Sequence, residues 1–230
     1  MKRLRDRTAV VTGAGAGLGR AIALRFAAEG AAVVVNDIDP DGAADTGRAV
    51  EEEGGRVRVL PGDVTDRQVT DALAGEAKDH FEGLEIWVNN AGGAQPQPME
   101  SIDDERYRAD RALNLDAAWY GMQSALAMMA PQGHGAILTI SSGAALGAVA
   151  GLSPYGAAKA GVIALTRSVA VEYGPRGVRA NVLCPGPIET AALRSWLDTL
   201  PGGAEAYGRQ VPLGRLGRPD DIASAAVFLV

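Results

Sequence analysis

Residues 12–19 read Thr-Gly-Ala-Gly-Ala-Gly-Leu-Gly. Before them runs the apolar stretch Ala9 to Thr12; after them Leu18, Ile22 and Phe26 recur every four residues. A strand that passes through glycines into an amphipathic helix is a ready anion site. Glycine reaches positive φ and lets a ligand approach the backbone, and the first turn of the helix offers free N–H groups with a positive dipole. The alternative is a tight turn with no ligand. The spacing G-x-G-x-x-G fits no choice of first glycine here; T-G-x-x-x-G-x-G does, through Thr12, Gly13, Gly17 and Gly19.

Working outward, five more runs read as strands: Ala32 to Asn36, Val57 to Leu60, Ile86 to Asn89, Ile137 to Ser141 and Val178 to Leu183. They are near-continuous apolar runs, the pattern of strands buried on both faces. Helical stretches lie between them: Asp41 to Glu53, Asp66 to Phe81, a long one over Asp103 to Met129, and Pro154 to Tyr173. The alternation predicts an α/β fold, a single doubly wound parallel sheet of Rossmann-like type with helices on both faces. In such a sheet ligands bind beyond the carboxyl ends of the strands.

Composition excludes several classes. A net charge of −6 offers no basic footprint for nucleic acid. No apolar run approaches a membrane span, and the N-terminus lacks the apolar core of a signal peptide. One cysteine, Cys184, and two separated histidines, His80 and His134, argue against a disulfide framework and a histidine metal site. A cytoplasmic protein without metal is the expectation.

The second strand ends at Asp37, 18 residues after Gly19. An acid there accepts hydrogen bonds from both ribose hydroxyls of NAD and repels a 2′-phosphate; otherwise it caps a turn. Ala14, Ile38 and Asp39 supply no cation for NADP. Asp39 and Asp41 read as helix-entry residues around Pro40.

Further along come Asp63-Val64, Asn89-Asn90-Ala91-Gly92, Asn114, Ser142, Tyr155-Gly156-Ala157-Ala158-Lys159 and Pro185-Gly186-Pro187-Ile188-Glu189-Thr190. With the glycine motif and Asp37, in this order, the sequence resembles the classical short-chain dehydrogenases/reductases over essentially its whole length. Tyr155 and Lys159, four apart on a predicted helix, share a face. A free phenol titrates near ~10, too high for an efficient base at neutral pH, and a nearby ammonium favours the phenolate. Tyr155 then exchanges a proton with an alcohol or ketone oxygen, while Ser142, 13 residues earlier, hydrogen-bonds that oxygen.

The resemblance implies more. Lys159 and Tyr155 also hold the nicotinamide ribose, and Asn114, in a distorted helical turn, supports a water relay to the lysine. Ser141 ends the strand. Gly13, Gly17, Leu18 and Gly19 hold the dinucleotide. Asp63 meets the adenine amino group, or enters the next helix; Val64 packs on the ring. Asn89 stabilises the central sheet, while Asn90, Ala91 and Gly92 line the adenosine side. Pro185, Gly186, Ile188 and Thr190 meet the nicotinamide end, Ile188 through its backbone and Thr190 through its hydroxyl. Cys184 is a small buried hydrophobe.

Three segments should line a substrate pocket: Gly93 to Met99, Gly143 to Ser153, and Ala191 to Gln210. The last, within a lid over 187–212, breaks at Pro201-Gly202-Gly203 into two short helices. The lining is mostly apolar, so a neutral or weakly polar secondary alcohol or ketone is expected, with steroid, cyclic alcohol, sugar-derived polyol and 3-hydroxyacyl substrates all open. Arg194 meets a substrate carboxylate or sits on a solvated helix face. The expected activity is NAD-dependent alcohol–ketone interconversion. The alternatives are a 3-oxoacyl-thioester (acyl carrier protein) reductase, against which Asp37 and the missing basic patch speak, and a non-catalytic dinucleotide-binding homologue. The family implies a homo-oligomer, dimer or tetramer. The chain reads as one domain, 1–230, lacking the C-terminal strand with which family members continue beyond the helix at Asp220 to Leu229. That loss should open the edge of Val178 to Leu183, through a truncation or at a cost in stability.

Overall fold

A computed structural model describes residues 2–230. Its six strands are β1 (Thr8–Val11), β2 (Ala32–Val35), β3 (Arg56–Val59), β4 (Ile86–Asn89), β5 (Gly135–Ile140) and β6 (Val178–Leu183), in the order β3-β2-β1-β4-β5-β6. All pair in parallel. The order reverses between β1 and β4, which is the switch point where ligands bind in open α/β sheets.

The helices lie on both faces, as expected: α1 (Gly17–Ala28), α2 (Pro40–Glu52), α3 (Arg67–Phe81), α4 (Asp104–Arg111), α5 (Ala117–Gln132), α6 (Ser153–Tyr173), α7 (Ala191–Leu197), α8 (Gly203–Gly208) and α9 (Pro219–Leu229). Alternate strand residues serve two cores. Val11, Val33, Val35 and Val88 pack with Ile22, Phe26 and Val227 on one face. Val10, Val34, Trp87 and Ile137 pack with Leu73, Met122, Met129 and Val169 on the other. Both faces are apolar, so the sequence shows runs rather than alternation.

β3 departs from that reading. Its Arg-Val-Arg-Val sequence alternates between exposed and half-buried, because it forms one edge of the sheet. β6 forms the other edge. There Arg179 Nη1 and Asn181 Nδ2 donate to the Leu229 carbonyl at 2.7 and 3.2 Å, which fixes the end of α9.

The stretch expected as one helix over 103–129 is three pieces. A π-helical turn, Ala112–Asp116, separates α4 from α5, and α5 runs on through Pro131 to a left-handed Gly133 with φ 77°. Residues expected to close the strands lie just past them. Thr12 and Ser141 still donate their N–H groups to Val88 and Leu183, at 3.2 and 2.7 Å, while the chain turns away into the loops. The segment expected as a lid does fold as two short helices, α7 and α8.

Candidate active site

At the end of β1, Gly13 and Gly17 take φ of 62° and 54°, a left-handed backbone open to glycine at little cost. A Cβ on Gly13 would lie 2.8 Å from the Ala91 backbone. Ala16 precedes helix α1 and offers it no side-chain cap, and the first bond of the helix is Arg20 N–H to the Ala16 carbonyl. The N–H groups of Gly17, Leu18 and Gly19 therefore precede the helical ladder, as a bound phosphate requires. The Leu18 side chain packs on the core instead.

Thr12 and Asn90 tie this loop to β4. The Thr12 hydroxyl donates to the Val88 carbonyl and accepts from the N–H groups of Asn90 and Ala91, each at 3.1 Å. Asn90 Nδ2 donates to the carbonyls of Thr12 and Gly13, both at 2.9 Å. The bracing expected of Asn89 thus falls to Asn90. Asn89 Oδ1 accepts from the Trp87 indole at 2.7 Å within the same strand. Its Nδ2 has no partner among the described residues.

Asp37 follows β2 as expected. One carboxylate oxygen accepts from Gly15 N–H at 2.8 Å and the other from Asp39 N–H at 3.0 Å. Each oxygen keeps a lone pair free for a ribose hydroxyl. Asp39 caps α2 through Asp41 N–H, with Pro40 in the first turn. The Asp63 carboxylate accepts from Thr65 N–H at 2.9 Å and its carbonyl from Asp66 N–H at 3.0 Å, and Asp66 is the cap of α3. Val64 is buried in the core, so little of it is left for an adenine ring. Ile38, 69% exposed, stands apolar beside Asp37, a surface its place in the sequence between two acids did not disclose. These groups fit a dinucleotide with an unmodified adenosine ribose.

Around the reacting end, Gly92 permits a close approach: a Cβ there would lie 2.8 Å from Asn114 Oδ1 and 2.9 Å from Lys159 Nζ. Asn114 is buried in the π turn, the distorted turn expected of it. Its Oδ1 accepts from Gly93 N–H at 3.0 Å, and its Nδ2 donates to the carbonyls of Gly93 and Asp110 at 2.9 and 3.0 Å. The side chain ties the Gly93 loop to the end of α4, and its Oδ1 keeps one lone pair.

Ser142, past β5, accepts from Ala144 N–H at 3.1 Å and shares a hydrogen bond with Tyr155. Lys159 Nζ lies 5.8 Å from the Tyr155 ring centre and donates to the Ile140 carbonyl at 3.0 Å. Ser141 does more than end a strand, since its buried hydroxyl donates to the Lys159 carbonyl at 2.7 Å. Burial raises the Tyr155 pKa, and the Ser142 hydrogen bond only partly opposes it. The expected lowering by the lysine ammonium does not operate in this state. Burial in turn brings Lys159 down to about 8.

On the far side, Pro185 accepts from Gly143 N–H at 2.8 Å, and Gly186 lies beside it. An isolated bridge joins Ile188 to Gly217 through the carbonyl of Pro187 and the N–H of Glu189. No hydrogen bond among the described residues takes the N–H or carbonyl of Ile188 itself, so both stay available for a carboxamide. Thr190 caps α7 through Leu193 N–H at 3.2 Å, and its methyl would touch a Cβ on Gly17 across the cleft. Arg194 pairs with Glu189 rather than standing free for a carboxylate. Cys184 is free and half-buried. Among the described residues no cluster could hold a metal ion, and no helix is long and apolar enough to cross a membrane.

A family model described as enoyl-(acyl carrier protein) reductase matches residues 13–230. 7α-Hydroxysteroid dehydrogenase of Escherichia coli (strain K12) is 37% identical over 227 residues, 99% of this chain and 88% of that protein. cis-4-Hydroxycyclohexanecarboxylate dehydrogenase of Sinomonas cyclohexanicum is 40% identical over 228 residues, 97% of this chain and 89% of that protein. A solved 7α-hydroxysteroid dehydrogenase, complexed with NADH and 7-oxo glycochenodeoxycholic acid, superposes with a TM-score of 0.93, covering 99% of this chain and 88% of that one at 37% identity. Likeness of this extent in both sequence and structure places the chain in the short-chain dehydrogenase/reductase family, NAD(P)-dependent enzymes that interconvert alcohols and ketones.

Proposed function

We propose that the chain oxidises and re-forms a secondary alcohol on an alicyclic or steroid-like skeleton, with NAD as the preferred cofactor and Tyr155 as general acid/base. The observation that carries this reading is the grouping of Ser142, Tyr155 and Lys159 at the ends of β5 and α6, with Asn114 and Lys159 meeting over Gly92. When bound, NAD supplies the nicotinamide carbon that takes or returns hydride. Ser142 then donates to the substrate oxygen, where charge develops. Tyr155 takes the hydroxyl proton at Oη during oxidation and returns it during reduction. Lys159 holds the ribose, and its charge, once turned from the Ile140 carbonyl toward the site, favours the phenolate. Asn114 positions the Gly93 loop.

The skeleton is inferred from the apolar rim. Met99, Leu146 and Val149 are exposed on the two loops that Gln97 N–H joins to the Gly151 carbonyl at 2.9 Å. Relatives named for ring alcohols support it. The description of the matching family model favours a second reading, reduction of an acyl thioester; a thioester-linked acyl substrate turned over faster than any ring ketone would establish it.

NAD preference rests on Asp37. Replacing Asp37 with Ala removes an ionised acceptor worth ~1.5–3 kcal/mol, so NAD should bind roughly 10–100-fold more weakly. NADP should bind no worse. Calorimetric titration checks this, and equal affinity of the native protein for the two cofactors would contradict it.

We further infer a homo-oligomer in the reducing cytoplasm, in keeping with a free Cys184 and with Tyr107, Trp119 and Val171 exposed on α4, α5 and α6. A monomer in sedimentation would contradict the assembly.

A further inference from the structure

The strand-end residue Asn36 is 1% exposed and takes no part in the chemistry described above. Its carboxamide nitrogen donates to two carbonyls of one loop, Leu60 at 3.0 Å and Gly62 at 3.1 Å. Among the described residues neither carbonyl has another donor. Pro61, between them, has no N–H to contribute. Asn36 also works through its backbone: its carbonyl accepts from Ala14 N–H at 2.8 Å, and its N–H donates to Val11 at 3.1 Å. The next residue, Asp37, accepts Gly62 N–H on its carbonyl at 2.9 Å. One residue thus joins the glycine loop, the ribose acid and the loop that leads into Asp63.

The residue type matters. A single nitrogen carrying two hydrogens on the shortest possible arm can serve two carbonyls two residues apart. A serine or threonine hydroxyl has one hydrogen. An aspartate would set an anion against two carbonyl oxygens. Beyond Gly62 the chain is held on the helix side, where the Asp63 carbonyl accepts from Asp66 N–H at 3.0 Å and Val64 is buried; on the strand side Asn36 supplies the side-chain bonds, and among the described residues the Asp63 carboxylate itself accepts from Thr65 N–H.

We propose that Asn36 is a positioning residue for adenine recognition: by fixing Leu60 to Gly62 it sets the Asp63 carboxylate to accept from the exocyclic amino group of the cofactor's adenine. This rests on the reading of Asp63 as the adenine acceptor. The chemistry supplies its own probe. Nicotinamide hypoxanthine dinucleotide carries a carbonyl where adenine carries the amino group, so a well-placed carboxylate repels it. A loosely held one is indifferent.

Dissociation constants for NAD and for the hypoxanthine analogue, measured by calorimetry on the wild type, Asp63→Ala and Asn36→Ser, decide the matter. The wild type is expected to prefer NAD by at least ~10-fold, the scale of one hydrogen bond to an ionised group. Both variants are expected to lower that preference to within about 2-fold, mainly by weakening NAD. Should Asn36→Ser not fold, Asn36→Thr, whose hydroxyl likewise carries a single hydrogen, carries the same comparison with the same expectation. A preference lost in Asp63→Ala but kept in Asn36→Ser would overturn the proposal. So would an equal weakening of both dinucleotides in Asn36→Ser, the mark of a purely structural brace. Absence of any preference in the wild type would instead overturn the Asp63 reading beneath it.

Discussion

Replacing Tyr155 with Phe is expected to lower kcat for alcohol oxidation and for ketone reduction by roughly 10³-fold, within the range for loss of a positioned acid/base, while the protein still binds NAD. The ring stays in place, and only the oxygen that meets Ser142 is removed. In the native enzyme burial holds the Tyr155 proton above its ordinary range. Below that raised pKa the phenol is already protonated and ready to donate, so reduction holds level through the neutral range. Oxidation needs the oxygen free to accept, so it gains as pH rises. The residual activity of Tyr155→Phe should have lost the oxidation slope. Steady-state rates from pH 6 to 10 check this, and a variant that retains native rates would remove Tyr155 from the mechanism.

Lys159→Met is expected to do two opposite things. Activity should fall by about 100-fold or more, as a misplaced nicotinamide ribose implies. Stability of the cofactor-free protein should rise. Burial lowers Lys159 from 10.5 to about 8, so its charged form is penalised in the folded state. The unfolded chain holds this proton up to 10.5 and the folded chain releases it from about 8. Native stability therefore bears the full cost below pH 8 and regains it as pH rises through that window. The gap corresponds to about 3 kcal/mol at neutral pH. Losing the bond to the Ile140 carbonyl returns about 1 kcal/mol of that. At pH 7 the variant should melt roughly 5 °C higher, with the advantage shrinking toward pH 10. A variant that melts below the native protein at pH 7 would show that the buried ammonium is not a burden on the fold.

The sheet was legible because each strand is followed by its ligand-facing turn. The glycine run, V-N-D, N-N-A-G and S-S all mark strand ends at which the backbone leaves the ladder. Edge character was not legible in β3, where valines alternate with arginines in a short segment. Nor was the break at Ala112–Asp116, since apolar spacing does not register a change from i+4 to i+5 bonding. Ser142, Tyr155 and Lys159 could be picked out because chemistry restricts the residue type at each position. The bracing roles of Thr12, Asn36, Gly93 and Ser141 were not legible. Each rests on a hydrogen bond to or from backbone that only the folded chain brings within reach.

Deuterium transfer tests the central claim most directly. The purified enzyme is incubated with NADH deuterated at the nicotinamide C4 on the transferring face, together with a panel of ring and steroid ketones, and the alcohols are weighed by mass spectrometry. The account predicts at least one alcohol carrying one deuterium at its carbinol carbon, formed by the native protein and roughly 10³-fold more slowly by Tyr155→Phe. Equal deuterium incorporation by both proteins, or none from any ketone with a native protein that binds NADH, would contradict it.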